Sequence, residues 1–396
     1  MHNPSRHLLV TGATGFLGGA IVASLVAEAR WPSVLLLVRS ANAEEGRRRI
    51  VGALRRFGVS EELCARVSPN QIICGDLCGV DAFAEDARLH AVSEVINCAA
   101  IAGFGKSKAL WPTNVDGTVA FARLLQKVAP LRRFIHVGTA MSCGLPAPSP
   151  VPEDYEAGPG AQHLVAYTES KIECERRLAA ELPGLPLVVV RPTIIIGHTR
   201  LGCKPSPSIF WVFRMARALG RFTCAPEDRI DVVPVDYCAQ TILHLLDRPT
   251  LGHNRYQISA GPQGSCTYRE IDAAIAAAFG QPPTQDYEQV DYETIAARQD
   301  RFEDQFGPCI VPIMLRAIEI YGAYAALDMT FDNDRLLAEG VTLPPRFDSY
   351  AGLCALTSEG DTIAEQMQYD FKGISARAAT ALAAMIRPKV PSPAIG

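Results

Sequence analysis

The chain has 396 residues, 48% of them hydrophobic and 20% charged, with a formal net charge of −4. That length buries a large core in more than one lobe, and the slight acidity argues against bulk nucleic-acid binding. Its 12 cysteines form no CxxC pair and no His/Cys cluster of zinc-finger spacing, so reduced buried thiols in a cytoplasmic protein are expected, with no metal centre.

The opening MHNPSRHLLVTGATG carries no apolar stretch before its glycines, and no signal peptide is expected. Residues 7–12 (HLLVTG) read as a short strand running into glycine. Residues 16–29 have helical spacing, with Leu17, Ile21 and Leu25 on one face. A strand at 33–39, a basic helix at 47–58 and strands at 71–77 and 91–100 follow. A helix at 113–128, a strand at 132–139, a helix at 167–182 and a strand at 185–193 complete the series.

Apolar strands alternating with helices ask for a parallel sheet covered on both faces, an α/β fold of the doubly wound Rossmann type. After about residue 198 the alternation weakens. The expected organisation is a dinucleotide-binding domain over 1–263, with 198–230 contributing to a substrate lobe. A smaller, mostly helical substrate-binding region spans 264–396, with a flexible tail from about 388. The apolar stretch 309–329 contains Arg316 and Glu319, so it reads as a buried or groove-lining helix rather than a membrane span. With Ile209, Phe210, Trp211 and Phe213 it could build an extended groove, ordinary core packing being the alternative.

TGATGFLGG sets Gly12, Gly15 and Gly18 between the first strand and helix. Gly12 allows a tight turn, Gly15 lets backbone approach a pyrophosphate, and Gly18 lets the helix pack close to the sheet, whose free N–H groups then face the phosphates. An NAD site wants an acidic residue about 20 positions on, to hold the ribose 2′-hydroxyl. Arg39 and Ser40 stand there instead. A guanidinium grips a 2′-phosphate that a carboxylate would repel, so NADPH is the expected cofactor. Of Arg47, Arg48 and Arg49 one could join it, a solvated helix face serving for the others.

AYTESK places Tyr167 four residues before Lys171, on one face of a helix. Free tyrosine titrates near 10, and a cation within about 4–6 Å lowers that by roughly 1–3. Beside a hydride donor the pair reads as a tuned acid, with the lysine also able to bond the nicotinamide ribose. A further hydroxyl should hold the substrate oxygen. HVGTAMSCG, after the fifth strand, offers Thr139, with Ser142 as the alternative and turn capping as the plain reading of each.

TGATGFLG, GDL (75–77), NCAA (97–100), NVDGT (114–118), YTESK and RPTIIIG (191–197) together resemble an extended short-chain dehydrogenase/reductase over residues 8–197. The resemblance puts Thr139 at the Ser/Thr position of the catalytic set with Tyr167 and Lys171. It puts Thr14, Phe16 and Leu17 in the phosphate loop, Asp76 and Leu77 near the adenine, and Asn97, Ala99 and Ala100 beside the adenosine ribose. Pro192 and Thr193 fall along the nicotinamide, and Asn114 has a structural place.

LLLVRSANAEEGRRRI, NCAAIAGFGKSKALWPTNVDGT with Phe104, and RPTIIIGHTRLG followed by DVVPVDYCAQTI are similar to the thioester reductase and fatty acyl-CoA reductase group. There the second arginine maps to Arg49. The likeness implies NADPH-dependent reduction of an acyl thioester, on an acyl carrier protein or coenzyme A, to an aldehyde, with onward reduction to an alcohol left open. Gly138 departs from the Ser usual before the catalytic Thr, Cys143 departs from the common Val or Tyr, and the C-terminal third matches loosely. An alcohol/ketone oxidoreductase or sugar-nucleotide epimerase of the same superfamily is the alternative, and a nonenzymatic NADP-binding sensor or scaffold a second one.

Overall fold

A computed structural model describes residues 7–102, 107–158 and 160–371; Phe104 and the tail from 388 lie outside the described residues. In chain order the framework is β1 (His7–Thr11), α1 (Phe16–Leu25), β2 (Val34–Val38), α2 (Ala43–Arg56), β3 (Ile72–Cys74) and β4 (Val92–Asn97). Next come α3 (Thr118–Val128), β5 (Arg133–Val137), α4 (Ala166–Glu181) and β6 (Leu187–Pro192). Then follow α5 (Trp211–Leu219), α6 (Val235–Asp247), β7 (Arg255–Ile258), α7 (Tyr268–Ala278), α8 (Val311–Ala325) and α9 (Asp348–Leu356).

The seven strands form one sheet in the order β3-β2-β1-β4-β5-β6-β7, parallel at every pairing. The expected Rossmann-type architecture is therefore present. β2 is buried at all five positions, which is why VLLLV is continuous rather than alternating. Ile21, Ile50 and Ile242 bring α1, α2 and α6 onto one face. Val119, Phe121 and Leu178 bring α3 and α4 onto the other. A separate helical core joins Trp211 and Met215 of α5, Ile271 of α7, Ile318 of α8 and Tyr350 of α9. Among the described residues no single helix is long and apolar enough to cross a membrane, and the apolar pair 299–306 and 311–325 is bent by 92°.

The sheet order reverses between β1 and β4, and ligands of open α/β sheets bind at the strand carboxyl ends beside such a reversal. Local differences from expectation have local causes. β7 is not foreseen, because arginine and glutamine break its apolar run. Gln257 is buried there because its backbone N–H donates to Glu153 Oε1 at 2.9 Å and its side chain to the Val151 carbonyl at 2.8 Å. The loop at 151–153 thus covers the sheet edge. α2 starts at Ala43, earlier than 47, because the Asn42 side chain accepts from Glu45 N and caps it. Pro112–Gly117 forms a π-helical turn ahead of α3.

Two glycines test the packing. A Cβ at Gly18 would fall 2.2 Å from the Gly12 carbonyl oxygen, whereas one at Gly52, inside α2, meets nothing within 4 Å. Gly18→Ala should cost about 1–3 kcal/mol in urea unfolding, and Gly52→Ala should gain about 0.5–1 kcal/mol.

Candidate active site

β1 ends in Gly12, whose φ of +68° favours glycine. A Cβ there would lie 2.7 Å from Ala99 N, so the glycine loop rests directly on the loop after β4. Gly15 is the N-cap of α1 and has no side chain to cover that helix end. Beneath the loop, Thr11 Oγ1 donates to Asn97 Oδ1 at 2.6 Å and accepts from Ala99 N at 3.1 Å. Asn97 Nδ2 reaches His136 Nδ1 at 3.2 Å. The side chain of Asn97 is fully buried in this strand-to-strand network and braces the loop after β4.

At the ends of β2 and β3, Arg39 is 70% exposed, and its Nε lies 3.6 Å from Asp76 Oδ2. Arg49 Nη1 donates to the Arg39 carbonyl, so these two arginines meet. Arg47 is held away by Glu44 at 2.7 Å. Asp76 also accepts from Cys78 N at 2.9 Å. Leu77 is core. Arg56, which the sequence did not single out, donates from Nη2 to the Thr14 carbonyl at 2.9 Å. It closes α2 about two turns beyond Arg49, past the stretch that a short arginine pattern reaches.

At the carboxyl ends of β1, β4, β5 and β6 a cavity of about 460 Å³ opens between sheet and helical core. Gly15, Phe16, Leu17 and Ala100 line its sheet side, as do Pro192 and Thr193. Thr139, Tyr167 and Lys171 line it together. Gly12, Thr14, Gly18, Arg39, Arg49, Asp76, Leu77, Asn97 and Ala99 are not part of that lining. Ser142 is fully buried, donates to the Thr139 carbonyl at 2.7 Å and does not face the cavity. Thr193 donates to the buried Asp231 at 2.8 Å, which fixes its rotamer.

Asn114 sits in the π-helical turn. Its Oδ1 accepts from Ile101 N at 2.8 Å and its Nδ2 reaches Ser170 Oγ at 3.1 Å, tying the loop after β4 to α4. Ile209 and Phe213 line the helical side of the cavity, while Phe210 and Trp211 are core. α8 contributes Tyr321, Tyr324 and Ala325. Nothing in the sequence marks Tyr324, which lies beside Thr168 and Tyr167 only through the tertiary packing of α8.

The electrostatics correct one expectation. Lys171 was expected to lower the Tyr167 phenol. Burial instead pushes that phenol up to about 12. Burial also lowers Lys171 from its ordinary value, against the opposing pull of Cys174, Glu175 and Cys98. The pair shares a helix face, but taking both groups out of water outweighs their proximity.

A nicotinamide dinucleotide fits these residues. The glycine loop is a cradle that side chains would fill. Lys171 is 2% exposed and borders the cavity. A buried ammonium of that kind calls for an oxygen-rich ligand. Among the described residues no group of three or more His, Cys, Asp or Glu side chains could hold a metal ion.

A family model described as Male sterility protein matches residues 10–242. Aldehyde reductase lnaA of Aspergillus flavus is 30% identical over 259 residues, covering 60% of this chain and 24% of that protein. The non-canonical nonribosomal peptide synthetase FrzA of Cladobotryum sp is 27% identical over 263 residues, covering 62% and 25%. The chain thus spans about a quarter of the length of these relatives. The terminal R domain from the myxalamid PKS-NRPS biosynthetic pathway shares the fold with a TM-score of 0.69 at 22% identity, covering 90% of this chain and 91% of that one. With the matched stretch running from β1 into α6, the chain belongs to the male-sterility NAD-binding family of extended short-chain dehydrogenases/reductases.

Proposed function

We propose that this reductase uses NADPH to convert an acyl thioester, carried by an acyl carrier protein or coenzyme A, to an aldehyde. The observation that carries the reading is the shared cavity. Two hydroxyls and an ammonium, from Thr139, Tyr167 and Lys171, line the same space as the apolar Val212, Phe213 and Met329. The relatives named as an aldehyde reductase and a nonribosomal peptide synthetase support it. The meeting of Arg39 and Arg49 beyond β2 supports NADPH as the dinucleotide.

When bound, the dinucleotide supplies the hydride. The protein's own groups do the rest. Thr139 and Tyr167 donate hydrogen bonds to the thioester oxygen, and these strengthen as negative charge develops on it. With its pKa about 12, Tyr167 stays protonated throughout the neutral range and is ready to give its proton. Lys171 would hold the ribose hydroxyls and place a positive charge near the oxyanion. As the oxyanion collapses to re-form the C=O bond, the C–S bond breaks, and the departing sulfur takes the proton that Tyr167 gives and leaves as thiol, with the aldehyde behind. The apolar wall takes the acyl chain and keeps water from the reacting carbon.

Incubation with NADPH and an acyl-coenzyme A or acyl-carrier thioester should release one thiol per aldehyde, the aldehyde being trapped by a hydrazine. Turnover of a ketone or sugar nucleotide, with no thiol released from any thioester tried, would move the protein to the alcohol/ketone or epimerase reading. Tyr167→Phe should lower turnover about 10²–10⁴-fold while cofactor affinity, read by fluorescence, stays nearly constant.

Cofactor choice is tested separately. NADPH should bind more tightly than NADH, and Arg39→Glu should weaken NADPH binding roughly 10–100-fold while leaving NADH little changed. Equal affinities of the unmodified protein for both would remove Arg39 from the 2′-phosphate.

A further inference from the structure

Gly138 lies between β5 and Thr139, and its N–H donates to the Val190 carbonyl at 2.7 Å. A Cβ at this position would fall 2.4 Å from Glu175 Oε1 and 3.3 Å from Arg191 Cγ. A side chain here is therefore excluded by a carboxylate that already fills the space. Glu175 stands on α4 one turn beyond Lys171. Arg191 of β6 clasps it, with Nε at 3.0 Å and Nη2 at 2.5 Å from Oε2, and both side chains are 3% exposed. Arg191 Nη1 also donates to the Tyr155 carbonyl at 3.2 Å. The carboxylate is thus pinned from below and cannot yield to a side chain above it.

The groups acting on Lys171 come from three directions. α4 contributes Cys174 and Glu175, and the loop after β4 contributes Cys98. His136 faces Lys171 from β5 and is kept neutral by burial, which drives it well below its ordinary value, with Lys171 and Arg191 adding to the effect. Burial pushes the thiols of Cys98 and Cys174 up to about 12, so they are uncharged near neutrality. Of the groups that favour the charged lysine, Glu175 is the carboxylate, and it is ion-paired with Arg191. It opposes the burial that lowers Lys171.

We propose that Glu175, locked by Arg191, is a positioning residue for the whole catalytic set: it fixes the backbone of Gly138 that presents Thr139, and it keeps Lys171 charged in the cavity. One carboxylate thereby links β5, α4 and β6 at the reacting end. The inference rests on the reductase reading for its kinetic arm only.

Lys171 works protonated, so activity and cofactor binding are lost as pH rises through its pKa, which burial sets below the ordinary 10.5. Glu175→Gln keeps the shape and removes the charge. It should move the alkaline limb of kcat/KM down by about one pH unit. NADPH affinity against pH should show the same displacement, and this arm needs no substrate. Gly138→Ala should cut turnover about 10–100-fold by displacing Thr139. Adding Glu175→Asp, one methylene shorter and still paired with Arg191, should restore most of that loss.

A folded Glu175→Gln protein whose alkaline limbs coincide with the unmodified ones would overturn the charge role. The same holds if that variant is merely less stable to heat and its limbs do not move. Gly138→Ala with full activity, or with a loss that Glu175→Asp fails to relieve, would overturn the steric role. If no thioester is ever reduced while NADPH affinity shows the displaced limb, the reductase reading fails and the role of Glu175 in holding Lys171 charged stands.

Discussion

The contact on which the rest of the site depends is made of backbone alone. The Gly12 carbonyl oxygen lies where a Cβ on Gly18 would be, and Gly12 itself is pressed on the peptide between Cys98 and Ala99. No side chain can enter either interface without parting α1 from the sheet. The contact holds the N-terminus of α1 at the reversal of strand order, where the first-turn amides face outward. Shifting it would move Gly15, Phe16 and Leu17 together, and they form one wall of the cavity.

Around that contact the strand ends are cross-linked by polar side chains with little freedom. Thr11, Asn97 and His136 join β1, β4 and β5 by hydrogen bonds that are fully buried. Asn114 fastens the next loop to α4. Asp231 accepts from both Thr193 and Ser259, at 2.8 and 2.7 Å, and so joins the end of β6 to the chain after β7. The atoms that make these ties are paired, which offsets their burial; His136 Nε2 alone in this set is buried without a partner among the described residues. A site in which hydroxyls must meet a substrate oxygen within tenths of an ångström needs its strand ends held in this way.

The sheet and its helices were largely legible because strict βα alternation has few solutions, and a glycine turn at the first strand end fixes which one. That Thr139, Tyr167 and Lys171 would border one cavity was legible because local spacing decides it: two share a helix face, and one follows a strand. What stayed hidden depends on contacts between distant segments. β7 was missed because Gln257 is satisfied by a loop about a hundred residues earlier in the chain. Tyr324 and Arg56 reach the site from helices whose sequences give no hint of their direction. That the Asn97 side chain braces the loop from behind was also hidden, because pattern alone does not show which way a side chain at a strand end points. The charge balance of Tyr167 and Lys171 went the other way because sequence spacing reports proximity but not the amount of water removed.

That removal of water links the two lobes chemically. The helical core supplies Val212, Phe213 and Tyr321 to the cavity, the end of β5 supplies Thr139, and α4 supplies Tyr167 and Lys171. An apolar wall makes charge expensive nearby. It therefore raises the phenol, so that Tyr167 is a proton donor and not a standing anion, and it lowers the ammonium, so that Lys171 needs a counter-charge to remain one. A polar substrate pocket would relax both effects. It would let Tyr167 ionise more readily and would make the buried Glu175–Arg191 pair less needed. The apolar lining and the buried carboxylate are then two parts of one arrangement: the first keeps the acid protonated, and the second keeps the cation charged within the same dry space.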